Sequence, residues 1–247
     1  MHPLILHIPH ASLIIPFKEG YIIGDDLLKA EMLKLTDWHT DDLFYSATDI
    51  MIKAPFSRVF CDVERFADDD DEPMSKLGMG ALYEQTDTGL LMRELNPSMR
   101  ERILKEYYWP HHHLLADAVQ VQLANFSKAT IVDCHSFTTL PFIRDQNQAP
   151  NRPDFNIGTD SYHTPKELVE FSSGFFKDKG FTVGVDWPYN GSMVPSRYYQ
   201  SDKRVQSIML EVNHSLYLRE GTNEKSQGYE GVKAILQEYM EGIKKCI

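Results

Sequence analysis

Three short apolar runs, each closed by polar residues, constrain this chain more than any other feature. They are Leu4-Ile5-Leu6-His7-Ile8-Pro9-His10, Ala129-Thr130-Ile131-Val132-Asp133-Cys134-His135-Ser136 and Ile208-Met209-Leu210-Glu211-Val212-Asn213. Each reads as a buried strand. Near-continuous apolar strands belong to largely parallel sheets that are covered on both faces. Apolar positions at helical spacing lie between and after them, at 25–35, 96–125, 165–180 and 226–245. Strands alternating with helices imply an α/β fold, a three-layer α/β/α sandwich around a mixed, mostly parallel sheet.

The remaining elements follow from local signals. Residues 49–54, 57–62 and 181–185 read as further short strands, and 37–47 as a helix. Asn96 or Ser98 is placed to cap the long stretch that follows, and Pro110 should kink or split it. Gly180 is suited to end the helix that Thr164-Pro165 begins. Residues 66–92, 137–163 and 186–204 read as loops, the first an active-site elaboration rather than a second domain. At 247 residues, with no repeat or linker-like composition, the chain is expected to form one domain.

Composition limits the function classes. The net charge of −11 argues against a general nucleic-acid binder, whose footprint is basic. Three cysteines without a CxxC pair, and no signal peptide, fit a reduced cytoplasmic protein. No apolar run approaches the roughly 18 residues of a membrane span.

In an open α/β sheet the ligand crevice lies at the carboxyl ends of the strands. His10 and His135 sit there and are suited to bind zinc, which in catalytic sites takes three protein ligands and leaves one position open. The third ligand should be a carboxylate or histidine, and Thr36–Asp42 supplies candidates. If helical, Asp37 and Asp41 share a face, so that one could bind metal while the other supports it. Asp133 is placed to orient a histidine. Ser136 could be a nucleophile but lacks the GxSxG elbow. Glu211, flanked by apolar residues, is either a general acid/base or a structural ion-pair partner of Arg58 or Arg65. Arg58, Arg65, Arg144 and Arg197 are candidate clamps for a substrate carboxylate. In His111-His112-His113 successive side chains point in different directions, and His112 is the one best placed to face a site. The acidic run Asp68–Glu72 lacks EF-hand spacing and reads as a solvated loop.

Taken together and in order, these segments resemble the N-formylglutamate amidohydrolase (N-formylglutamate deformylase) family. The resemblance runs through 7–12, 36–41, 57–65, 108–112, 133–137, 153–159, 196–199 and 210–213. It implies a zinc-dependent amidohydrolase with a carboxypeptidase-like, or phosphorylase/hydrolase-like, fold. His10, Asp41 and His135 would be the ligands, Asp41 being preferred to Asp37 because divergent relatives retain an acid there. Glu211 would be the acid/base. Arg58, Arg65, Arg197 and Arg144 would hold substrate carboxylates. Asp37, Asp133, Ser136, His112 and Asn213 would support the site. One departure stands out. Where relatives show Asp-x-Asn-Arg, this chain has Asp62-Val63-Glu64-Arg65, and an acid at 64 would repel a carboxylate substrate or pair with Arg65.

The implied reaction is metal-assisted hydrolysis of a small acidic N-acyl amino acid, foremost N-formyl-L-glutamate, with Zn2+ or another divalent ion as cofactor. Two rivals remain. One is the same chemistry on another N-acyl amino acid or a peptidoglycan fragment. The other is a noncatalytic protein that binds acidic small molecules.

Overall fold

The computed structural model describes residues 2–246. The strands are β1 (Ile5–Ile8), β2 (Ile50–Lys53), β3 (Ala129–Phe137), β4 (Phe155–Gly158), β5 (Val183–Val185) and β6 (Val205–Asn213). They form one sheet in the order β2-β1-β3-β6-β4-β5. All neighbouring pairs are parallel except β4 with β6, so the sheet is mixed and mostly parallel, as the sequence implies. The helices are α1 (Asp25–Leu35), α2 (Thr40–Leu43), α3 (Pro97–Ile103), α4 (Trp109–Phe126), α5 (Lys166–Asp178) and α6 (Tyr229–Cys246). No helix of the described residues is long and apolar enough to cross a membrane.

Side chains alternate across a strand, so each long strand serves two faces. On one face Leu4, Leu6, Ile8, Val132, Cys134, Ile208, Leu210 and Val212 pack with Leu168 and Phe176 of α5 and Leu236, Tyr239 and Ile243 of α6. On the other, Ile5, Ile131, Ala129 and Val205 pack with Leu115 and Val119 of α4. This second face changes character along its length. Past the apolar residues under α4, the same alternation brings up His7 on β1, Asp133 and His135 on β3, and Glu211 on β6. Register then makes neighbours of them: His7 opposite Asp133, and His135 opposite Glu211. A polar crevice thus follows from strand periodicity.

The structure corrects three local expectations and bears out a fourth. Residues 57–62 do not form a strand. The Phe60 and Cys61 amides donate to the Ser57 carbonyl, so a tight turn, not a ladder, satisfies this backbone. The expected helix over 37–47 shrinks to α2, because His39 adopts φ 60°, outside the helical region. Pro110 falls in the first turn of α4, where the expected interruption of the long stretch is found. A single π turn, Leu104–Tyr108, joins α3 to α4 and widens the chain just where the proline ring would meet the preceding turn. Antiparallel β4 lies inside the expected loop 137–163, bonded to β6. Asn96 caps α3 by accepting from the Met99 amide at 2.8 Å.

Candidate active site

His10 lies just past β1 and is buried, as are Asp37 and His135. These three converge, their ligand atoms all within 4.8 Å of one another. The Asp37 amide donates to the His10 carbonyl, which ties the segment after α1 to the end of β1. Asp37 Oδ2 stands 3.0 Å from His135 Nδ1 and 3.6 Å from His10 Nδ1, and accepts from the Ser136 amide. Burial opposes the Asp37 charge, but the neighbouring His10 and His135 imidazoles win and hold its carboxyl below the usual range.

The far nitrogens of both rings face carboxylates. His10 Nε2 meets Asp62 Oδ1 at 2.9 Å. His135 Nε2 lies 3.2 Å from Asp133 Oδ1 and 3.1 Å from Glu64 Oε2. Carboxylates so placed fix the tautomer and aim the inner nitrogens. His10 Nδ1 is buried with no hydrogen-bond partner. Two imidazole nitrogens and one carboxylate turned to a common point, one nitrogen unpartnered, are a donor set that could hold a divalent metal ion.

Asp41 is not part of this group. It sits on α2, where its side chain is about half exposed and reaches 3.6 Å from Lys53 Nζ. The bend at His39 breaks the helical face that would have aligned it with Asp37. Asp37, not Asp41, stands with His10 and His135 in this group.

Glu211 is buried opposite His135, and its Oε2 has no hydrogen-bond partner. Among the described residues no ion pair reaches it, so the pairing with Arg58 or Arg65 is not formed. Burial, and then the Asp37 and Asp133 charges, outweigh the pull of His135 and Arg58 and push its carboxyl up to about 8. A carboxyl in that range can take and return a proton near neutral pH.

A cavity of about 780 Å3 opens over these groups. Three of the four expected arginines line it, in different states. Arg58 donates to Asp62 Oδ2 at 2.9 Å, and the same oxygen accepts from Tyr83, so Arg58 chiefly holds the carboxylate that holds His10. Arg144 has a buried Nη1 without a partner in this region, whereas Arg65 is loosely ion-paired, its Nε 3.8 Å from Asp62 Oδ2 and outside hydrogen-bond distance. Arg197 does not line the cavity. Its Nη1 donates to Gln120 on α4 and its guanidinium lies over Tyr198. His112 lines the cavity and packs against Tyr108, their ring centroids 4.2 Å apart and the planes tilted by 35°. Ser136 Oγ is 3.1 Å from His214 Nε2, and its amide serves Asp37. Asn213 stands apart from the reactive groups, accepting from Thr139 and Ser215 and donating to the Pro153 carbonyl.

Several contributors were not anticipated from sequence. Asp62, fully buried, binds His10 and Arg58. Glu64 neither pairs with Arg65 nor stands free to repel a substrate; it faces His7 and His135. A fully buried histidine amid the apolar residues of β1 was the available signal for His7. The acidic run is not simply solvated, because Glu72 is buried and caps the turn at Met74.

With this geometry in hand, comparison with known proteins is decisive for the family. The profile of the family described as N-formylglutamate amidohydrolase matches residues 2–218. The chain belongs to that family. It is 26% identical to the N-formylglutamate deformylase of Pseudomonas aeruginosa over 98% of this chain and 92% of the relative. The N-formylglutamate amidohydrolase of Ralstonia eutropha JMP134 shares its fold with a TM-score of 0.86 at 23% identity, over 99% and 93% of the two chains. A gene product of Agrobacterium tumefaciens matches more loosely, with a TM-score of 0.66 at 19% identity over 98% and 91%. The fold of this amidohydrolase family therefore carries the crevice described above.

Proposed function

We propose that the protein is a divalent-metal-dependent amidohydrolase that cleaves N-formyl-L-glutamate to L-glutamate and formate. The observation that carries this reading is Glu211. It is a buried carboxyl with an unpartnered oxygen, set on the strand beside His135 and the His10–Asp37–His135 donor set. An unsatisfied buried carboxyl is costly, and such groups persist where chemistry uses them. The names of the relatives support the substrate.

His10, Asp37 and His135 would hold the ion, with zinc the first choice for this ligand set. When bound, the ion polarises the scissile carbonyl and acidifies a water. Glu211 takes a proton from the attacking water and returns it to the leaving amine nitrogen, where its raised pKa suits both halves of the transfer. Asp62, Asp133 and Glu64 keep the two histidines in one tautomer. Arg144, with a buried donor free, and Arg65, only loosely held by Asp62, would match the two carboxylates of N-formylglutamate.

His10→Ala and His135→Ala test the reading. Loss of both bound metal and amide hydrolysis supports it, whereas variants that keep both would refute it. An enzyme that binds metal in a His10-dependent way but prefers another N-acyl amino acid would retain the chemistry and change the substrate.

A further inference from the structure

Beside the groups assigned above lies a second convergence of His7, Glu64 and Asp133, their ligand atoms also within 4.8 Å of one another. We infer that these three residues form a second divalent-cation site, distinct from that of His10, Asp37 and His135. The inference goes beyond the proposed function and does not depend on the substrate.

Three observations carry it. The first is spacing. In an octahedral shell with bonds of about 2.1 Å, neighbouring ligand atoms stand about 3 Å apart. His7 Nδ1 lies 2.8 Å from Asp133 Oδ1 and 3.1 Å from Glu64 Oε1. The second is donor shortage. His7 Nδ1 can offer one proton at most to the two carboxylates that face it. Glu64 Oε1 stays buried without a hydrogen bond. The third is orientation of the ring. His7 Nε2 meets His111 Nε2 at 2.8 Å. If His7 donates there, its Nδ1 lone pair faces two carboxylates, an arrangement that a cation makes favourable. Imidazole with two carboxylates suits zinc, manganese or iron in the divalent state.

The competing arrangement is a protonated His7 bridging the two acids. Metal counting separates them. Chelated and desalted protein is reloaded with Zn2+ or, separately, Mn2+, desalted again, and bound metal per chain is measured by inductively coupled plasma mass spectrometry. The same is done for Glu64→Gln, His7→Asn and His10→Ala, with circular dichroism to confirm that each is folded. The expected result is two equivalents in the unaltered protein, with Glu64→Gln and His7→Asn each retaining only the equivalent that His10→Ala removes. An unaltered protein with one equivalent, lost in His10→Ala but kept in Glu64→Gln, would overturn the second site and leave the first intact. One equivalent lost in Glu64→Gln but kept in His10→Ala would support the second site and remove the first. Binding of no metal would overturn both. If the His7 variant fails to fold, the count in the unaltered protein and in Glu64→Gln still decides.

Discussion

Replacing Glu211 with glutamine should move activity and stability in opposite directions. The substitution keeps size and shape but removes proton acceptance. Loss of a general acid/base lowers turnover by about 10²–10⁴-fold. Stability follows from the carboxyl's shift, from 4.5 to about 8 on folding. Between these values the folded protein holds a proton that the unfolded chain releases, so stability falls as pH rises through the window. At about 1.4 kcal/mol per pH unit, the penalty reaches on the order of 3 kcal/mol at pH 7 and is absent below pH 4. Glutamine carries no such penalty. Metal-free Glu211→Gln should therefore resist urea better than metal-free unaltered protein at pH 8, by up to a few kcal/mol, with the advantage shrinking toward pH 4. Formate release and urea melts at several pH values read the two effects. A variant that is inactive and also less stable at pH 8 would show that Glu211 serves structure, and would refute the reasoning.

Further outcomes follow from the same geometry. Asp37→Asn should reduce metal content and activity at least about 10–100-fold, whereas Asp41→Asn should leave metal binding unchanged and stability within about 0.5 kcal/mol; elemental analysis and thermal melts compare them. Arg144→Ala or Arg65→Ala should raise KM about 10–100-fold, from loss of a charged hydrogen bond of about 1.5–3 kcal/mol, while Arg197→Ala should not; steady-state kinetics distinguishes the three. Buried Asp87 binds Lys34 and the Ile143 and Arg144 amides. Burial opposes its charge, but these partners win and hold its carboxyl below the ordinary value of 3.8. Its contribution is thus present above pH 3.8 and lost as pH falls through the lower folded value. Asp87→Asn should weaken the protein at pH 7 by on the order of 1–3 kcal/mol and less at pH 3, as urea melts at both pH values would show.

What could be read from the sequence was what local pattern encodes. The apolar runs ending in His10, His135 and Glu211 displayed both the strands and the residues at their ends. Once register pairs β3 with β6, His135 and Glu211 must meet. The choice between Asp37 and Asp41 was not legible, because it turns on a single left-handed residue, His39, that no periodicity reveals. The segment 57–65 misled for a related reason. Its apolar residues are buried, but in two different clusters reached by a turn. The role of Glu64 depends on a contact with His7, far away in the chain, and could only come from the assembled sheet. Arg197 matched a motif yet points to α4, since its loop decides its direction.

The most direct test is formate release from N-formyl-L-glutamate by zinc-loaded protein beside the same protein stripped by chelator. Turnover that vanishes on chelation and returns with added zinc is the predicted result. Equal turnover in both preparations, or none in either with zinc demonstrably bound at His10 and His135, would contradict the proposed deformylase.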